Sequence, residues 1–118
     1  QEEMLRAEAA KGYPIVLCMH VPLYTPKLAE LILEHNPCAY VTGAPREMYT
    51  KYPNDRRLQQ NPDRATVEMI EYIKSEPMIR LIVAGHVHRN FEEPLDNGVM
   101  QICTEGGYHG YARELILT

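Results

Sequence analysis

The sequence has no apolar run approaching the roughly 20 residues that a membrane-spanning helix requires. It also has no excess of positive charge, since its formal net charge is −4 and its isoelectric point is near 5.7. Both features argue against a nucleic-acid-binding surface and against a membrane-bound protein. With 45% hydrophobic and 24% charged residues in a chain of 118, the composition indicates one globular domain over residues 1–118.

Paired cysteines are also absent, because none of the three cysteines forms a Cys-x-x-Cys spacing. A zinc site built on thiolates is therefore disfavoured. Cys18 and Cys103 lie in apolar segments, where a free thiol behaves as a small buried hydrophobe. We expect reduced core thiols, a reducing compartment and hence a cytoplasmic protein.

Acidic residues are scarce where a two-metal hydrolytic site would need them. Such sites use Asp or Asn ligands to balance charge and to hold two ions about 4 Å apart. Asp55, Asp63 and Asp96 lie in turns or at a helix start, and only Glu105 follows an apolar strand. Motifs of a serine nucleophile elbow and of a His-Glu-x-x-His zinc helix are missing as well.

Apolar spacing and capping residues predict three helices. They cover residues 2–11, residues 26–35 and a segment that opens with Asn61-Pro62-Asp63, where Asn61 is the expected N-cap. His35 lies on the apolar stripe of the second helix, so we expect it to be half buried and not to bind a metal. Residues 38–60 have no clean period, which predicts a long loop.

Short apolar runs predict the strands. Residues 13–19 and 79–84 suit strands that are covered on both faces. Because helices join these two strands, we expect them to be parallel, in an α/β (α+β) fold with a mixed sheet. The Asn97-Gly98 pair predicts a hairpin. Three later strands are expected at residues 91–95, 99–103 and 113–117.

Three histidines follow the two apolar strands. His20 ends the first, and Gly85-His86-Val87-His88 follows the second, with Gly85 expected to allow a sharp turn or the close approach of another group. In open α/β sheets, ligands collect beyond the carboxyl ends of the strands. Imidazole is the commonest side-chain metal ligand near neutral pH. If the strands are neighbours, about 5 Å apart, the three imidazoles converge, and His20, His86 and His88 are predicted metal ligands.

Two further residues are candidates for contact with substrate. His109 lies in the glycine-rich segment Gly106-Gly107-Tyr108-His109-Gly110, where a surface role and a substrate contact are equally supported. Arg89 directly follows the histidine pair and is placed to meet an anionic substrate, with a solvated arginine as the alternative. No residue is assigned as a catalytic acid or base.

The histidine segments resemble motifs of a known family, the calcineurin-like metallophosphoesterases, and match the C-terminal half of that domain. They are Leu17-Cys18-Met19-His20-Val21-Pro22-Leu23-Tyr24 and Gly85-His86-Val87-His88-Arg89-Asn90. The resemblance implies a partial β-sandwich flanked by helices. In the complete enzyme, it implies two divalent ions (manganese, iron or zinc) that activate water to hydrolyse phosphate mono- or diesters. His20 and His86 would ligate the second ion and His88 the first.

The earlier motifs of that family, Asp-x-His, Gly-Asp and Gly-Asn-His followed by an acid, do not occur in this chain. They supply the remaining ligands and the bridging carboxylate. The resemblance therefore implies the C-terminal portion of a phosphoesterase domain, with at most partial metal occupancy and negligible turnover by itself. Its partner would be a phosphorylated small molecule, and we also expect a homodimer through open sheet edges.

Another class of function stays open beside the enzyme. The chain would then be a non-catalytic metal-binding or association domain, with one structural or adventitious ion on its histidines. A third hypothesis, an amidohydrolase with a strand-end His-x-His, is disfavoured because its barrel needs about 250 residues.

Overall fold

A computed structural model describes residues 1–35, 39–51 and 61–118 of the chain. The helices in this part are α1 (Glu2–Ala9), α2 (Pro26–His35) and α3 (Arg64–Ser75). The strands are β1 (Ile15–Met19), β2 (Ile79–Ala84), β3 (Phe91–Pro94) and β4 (Met100–Cys103). Short 3₁₀ helices cover Arg46–Lys51 and Gly107–His109. None of the described helices has the length and apolar character needed to cross a bilayer.

The described strands form one four-stranded sheet in the order β1-β2-β4-β3. The strand β2 pairs in parallel with both β1 and β4, and β3 pairs antiparallel with β4. The expected α/β class with a mixed sheet is therefore confirmed. The metallophosphoesterase-type β-sandwich stays a prediction, since the described residues form a single sheet.

The register of β1 against β2 brings the carboxyl ends of both strands to one edge of the sheet. Met19 lies opposite Ala84, so His20 and Gly85 follow as neighbours. The Gly85 N–H donates to the His20 carbonyl at 3.1 Å, which continues the pairing one residue past the strands. The parallel neighbours predicted from the sequence are thus confirmed.

Two hydrophobic clusters hold the helices on the sheet. One joins Leu28 and Ile32 of α2 to Val41, to the strand end at Ala84 and to Val87. The other joins the side chains of α1 and α3 to β2, through Leu5, Tyr72, Ile73, Ile79 and Ile82. Since fully burying such a side chain stabilises the fold by about 1.5–3 kcal/mol, these clusters fix the strand ends that carry the histidines.

Helix capping agrees with the sequence at α2 and differs at α3. The Leu28 N–H donates to Thr25 Oγ1 at 3.3 Å, as the Thr25-Pro26 start predicts. At α3 the N-cap is Asp63, whose Oδ1 accepts from the Thr66 N–H at 2.8 Å, so the assignment of Asn61 was wrong. The Thr66 hydrogen bond holds the pKa of the Asp63 carboxyl below its usual range.

Among the described strands β1 lies at one edge of the sheet, and its burial corrects two expectations. Its burial alternates, and Val16 and Cys18 are exposed, so among the described residues one face of β1 is uncovered. The predicted burial of Cys18 is therefore wrong. The prediction holds for Cys103, which is fully buried, and burial raises the pKa of its thiol to about 11.

The predicted loop over residues 38–60 packs into the core where it is described, at residues 39–51, while Cys38 and residues 52–60 lie outside the described residues. Ala39, Val41 and Met48 are buried against α2, and Thr42 makes a parallel bridge with Leu23. These side chains lack a helical or strand period, because they reach the core from an irregular backbone.

One prediction from periodicity agrees with the structure and another is wrong. His35 ends α2 with 41% of its side chain exposed, which is close to the predicted half burial. Residues 113–117 form no strand, and Ile116 and Leu117 are 78% and 68% exposed. An apolar β-prone run becomes a strand only where it pairs with a neighbouring strand, and residues 113–117 pair with none of the described strands.

A buried glutamine ties the segment after β1 to strand β4. Gln101 is 0% exposed. Its Oε1 accepts from the Leu23 N–H at 2.8 Å, and its Nε2 donates to the Leu23 carbonyl at 2.9 Å. The side-chain amide therefore replaces a missing backbone partner on both sides and holds residues 21–24 beside the sheet.

Replacing Gln101 with methionine should destabilise the fold by about 2 kcal/mol or more, because the Leu23 N–H and carbonyl would be left buried without partners. Urea unfolding of Gln101→Met against the wild type measures the difference. The control is the neighbouring residue Met100, which is partly exposed. The free energy of unfolding of Met100→Gln should stay within about 0.5 kcal/mol of the wild-type value. Equal stability of Gln101→Met and the wild type would contradict a stabilising role for the hydrogen bonds between the Gln101 amide and the Leu23 backbone.

Candidate metal centre

The structure brings two of the three candidate histidines together. His86 Nδ1 lies 3.2 Å from His20 Nε2, and the two rings meet edge to face with their centroids 5.0 Å apart. The parallel register places one histidine after each strand, at the same edge of the sheet. The pairing of His20 with His86 therefore follows directly from the alignment of β1 and β2.

Tyr40 holds the outer side of the His86 ring. Its backbone N–H donates to His86 Nε2 at 3.4 Å, and its ring packs edge to face on the imidazole with centroids 4.6 Å apart. Because Nε2 accepts a hydrogen bond, the proton of a neutral His86 resides on Nδ1 and points at His20 Nε2. Tyr40 was not identified from the sequence, since it lies in the segment without a period.

Strained backbone accompanies the histidine pair. His86 and His88 have φ values of 62° and 52°, and they are the only non-glycine residues with positive φ in the described part of the chain. Such left-handed conformations cost of order 1–3 kcal/mol each and cluster at functional sites. Gly85 has no such φ, and a Cβ there would come no closer than 4.0 Å to the His20 carbonyl, so the turn is made by the histidines and not by the glycine.

Val87 explains why the turn has this form. Its side chain is 1% exposed and belongs to the α2 cluster, while its N–H donates to the Gly85 carbonyl at 2.6 Å. The buried valine anchors the centre of the turn, with one histidine on each side. The strain at both positions is therefore offset by packing at the residue between them.

His88 lies apart from the pair. Its Nδ1 is 2.9 Å from the Tyr108 hydroxyl, and the two rings meet edge to face with centroids 5.3 Å apart. In the described residues no group of three or more His, Cys, Asp or Glu side chains is arranged to hold a metal ion. The structure thus assembles two of the three nitrogen donors at one point, and the ligation by His88 stays a prediction.

The other two candidates each have a partner of their own. His109 Nδ1 lies 3.0 Å from Glu105 Oε1. The Glu105 N–H donates to Asn90 Oδ1 at 3.2 Å, and Asn90 Nδ2 donates to Glu105 Oε2 at 3.5 Å. Arg89 donates from Nη1 to the His88 carbonyl at 3.3 Å. Contact of His109 or Arg89 with substrate stays a prediction.

The His20–His86 pair fits two ligands of one metal ion. Two imidazole nitrogens bound to a tetrahedral zinc at 2.0–2.1 Å lie roughly 3.4 Å from each other, close to the 3.2 Å between His20 Nε2 and His86 Nδ1. Binding would require the His86 proton to move from Nδ1 to Nε2, because both metal-bound nitrogens must offer a lone pair. The Nε2 atom would then no longer accept the hydrogen bond from the Tyr40 N–H. Two imidazoles fill only two of the four positions of a tetrahedral zinc, so further ligands would be needed to complete the site.

Glycine at the strained positions should be tolerated better than alanine. We expect His86→Gly and His88→Gly to be more stable than the corresponding alanine variants by about 1 kcal/mol, because only glycine adopts positive φ without a Cβ clash. Thermal or urea unfolding of both pairs measures the difference. At Glu71, an exposed residue inside α3, the order should reverse by about 1 kcal/mol. If the alanine and glycine variants were equally stable at both histidine positions, the backbone at residues 86 and 88 would not be strained.

Comparisons with protein-family models, with curated proteins and with solved structures found no match for this chain. The functional interpretation therefore depends on the two histidine motifs of the sequence and on the geometry of the described residues. Of that geometry, the contact between His20 and His86 is the part that bears most directly on a function.

Proposed function

We propose that this chain supplies the histidine ligands of a dinuclear metal centre that hydrolyses phosphate esters. The observation that carries the proposal is the approach of His20 Nε2 to His86 Nδ1 at the carboxyl end of two parallel strands. These are the same two residues that the resemblance to calcineurin-like metallophosphoesterases assigns to one ion. His88, assigned to the other ion, lies apart from them, two residues further along the same turn.

In this proposal, the chain's own part is to present lone pairs at fixed positions. The Tyr40 ring and the buried Val87 set the orientation of the His86 ring, and the β1–β2 register sets the position of His20. The ions, when bound, would lower the pKa of water and neutralise the phosphoryl oxygens. Manganese, iron and zinc all accept imidazole ligands.

The substrate side of the site would be open to solvent. His20 and His88 are exposed, and His109 and Arg89 lie near the same end of the sheet, after β4 and β2 respectively. A phosphorylated small molecule, either a monoester or a diester, would therefore reach the histidines without opening the core. Glu105 holds His109 in one ring orientation, which leaves Nε2 of that imidazole to face solvent or an anionic group.

A second function is favoured by one feature, the edge of β1 that pairs with no other described strand. The strand carries no charged residue, and charge is a common device for protecting an edge from pairing. An association domain with one structural metal ion would use this edge for a partner. The coding sequence upstream of Gln1 separates the two hypotheses: Asp-x-His and Gly-Asn-His motifs there favour the enzyme, and their absence favours association.

Metal binding should depend on the histidine pair. We expect His20→Ala and His86→Ala to weaken Zn²⁺ or Mn²⁺ binding by tenfold or more, since even outer-shell partners of a metal ligand contribute about 10–100-fold. Isothermal titration calorimetry of the 118-residue chain measures the affinities. His35→Ala is the matched control, because His35 is an exposed histidine at the far end of α2. Equal metal affinities in all three variants would contradict metal binding by His20 and His86.

Activity provides a separate test. The 118-residue chain alone should show negligible turnover of a chromogenic phosphodiester. In the protein expressed from its complete coding sequence, His20→Ala and His88→Ala should abolish hydrolysis, and His35→Ala should leave it unchanged. Hydrolysis that survives both substitutions would contradict the phosphoesterase. Turnover by the 118 residues alone, lost in His88→Ala, would contradict the need for further ligands.

A further inference from the structure

We infer that Tyr108 is a positioning residue that fixes the tautomer and ring orientation of His88. The inference rests on the proposed function, since it concerns how one predicted ligand is presented. Its basis is the 2.9 Å contact between the Tyr108 hydroxyl and His88 Nδ1, together with the edge-to-face packing of the two rings.

The direction of this hydrogen bond decides whether His88 binds a metal through Nε2. A tyrosine hydroxyl either donates or accepts, and a neutral imidazole carries one proton on one of its two nitrogens. When Nδ1–H donates to the Tyr108 oxygen, the Nε2 lone pair is available. Metal-binding histidines almost always donate their second ring N–H to an oxygen in this way. We therefore assign the Nδ1–H tautomer to His88.

Burial does not account for the position of the Tyr108 ring. The residue is 70% exposed, so its ring contributes little to the core. Its ring contacts are with two histidines: His88 on one side, and His109 with centroids 4.2 Å apart on the other. Glu105 in turn holds the His109 ring at Nδ1. The tyrosine is thus oriented by polar and aromatic contacts at the site.

Gly106 makes room for this arrangement. A Cβ at residue 106 would collide with the Tyr108 ring, lying 3.0 Å from both Cδ1 and Cζ and closer still to Cε1. A Cβ at Gly107 would meet nothing within 4 Å. Because the Tyr108 ring is exposed, alanine at residue 106 should push the ring away from His88 and leave the fold intact. The neighbouring glycine provides a matched control.

The test measures the tautomer of His88 by ¹⁵N NMR of the imidazole nitrogens in the metal-free chain. The wild type should show the Nδ1–H form. Tyr108→Phe removes the hydroxyl and keeps the ring, while Gly106→Ala keeps the hydroxyl and moves the ring, and both should shift His88 towards the Nε2–H form. Gly107→Ala and Tyr111→Phe, which alters another exposed tyrosine, should leave His88 as in the wild type.

Zinc affinity provides the second measurement. Tyr108→Phe and Gly106→Ala should each weaken binding by about tenfold, the lower end of the effect of outer-shell partners. The inference would be overturned if His88 of the wild type had the Nε2–H form. It would also be overturned if the His88 tautomer were the same in Tyr108→Phe and Gly106→Ala as in the wild type. A wild type that binds no zinc would overturn the proposed function instead, and the tautomer measurement in the metal-free chain would still decide the role of Tyr108.

Discussion

The parallel pairing of β1 with β2 is the interaction on which the candidate site depends. Met19 lies opposite Ala84, and this register places His20 beside Gly85 and brings its ring to His86. A slip of one residue would turn the side chains of a strand to the other face. The Gly85 to His20 hydrogen bond and the Gln101 amide, which binds both backbone groups of Leu23, hold this register beyond the strand ends.

Strain is confined to the turn that carries the histidines. His86 and His88 both adopt positive φ, and the buried side chain of Val87 holds the turn between them. Elsewhere in the described residues positive φ occurs only at glycines, as at Gly98 in the hairpin. Local rules are therefore broken at the point where the sequence places its predicted metal ligands, and such departures are typical of functional or strained sites.

Local patterns predicted those parts of the fold that depend on local chemistry. The bounds of β2, the hairpin at Asn97-Gly98 and the parallel pairing were all readable from the sequence. Patterns failed where the answer depends on the position of a strand in the sheet. Cys18 is exposed because no described element covers that face of β1, and residues 113–117 pair with none of the described strands.

The candidate site shows the same division. The motifs identified His20, His86 and His88, but Tyr40, Gln101 and Tyr108 orient them or their segments through contacts between residues distant in sequence. Only Gln101 carried a signal, as a polar residue inside the apolar run 99–103. Tyr40 and Tyr108 lie in segments without a helical or strand period. There the sequence does not distinguish a tyrosine that supports a histidine from one on the surface.

The central claim is that His20 Nε2 and His86 Nδ1 bind the same ion. Imidazole ¹⁵N NMR of the chain during a zinc titration tests it most directly. We expect the signals of these two nitrogens to shift together at a single binding event, with loss of the proton on His86 Nδ1 and no change at His35. A shift of one nitrogen without the other, or retention of that proton at zinc saturation, would contradict a shared metal site.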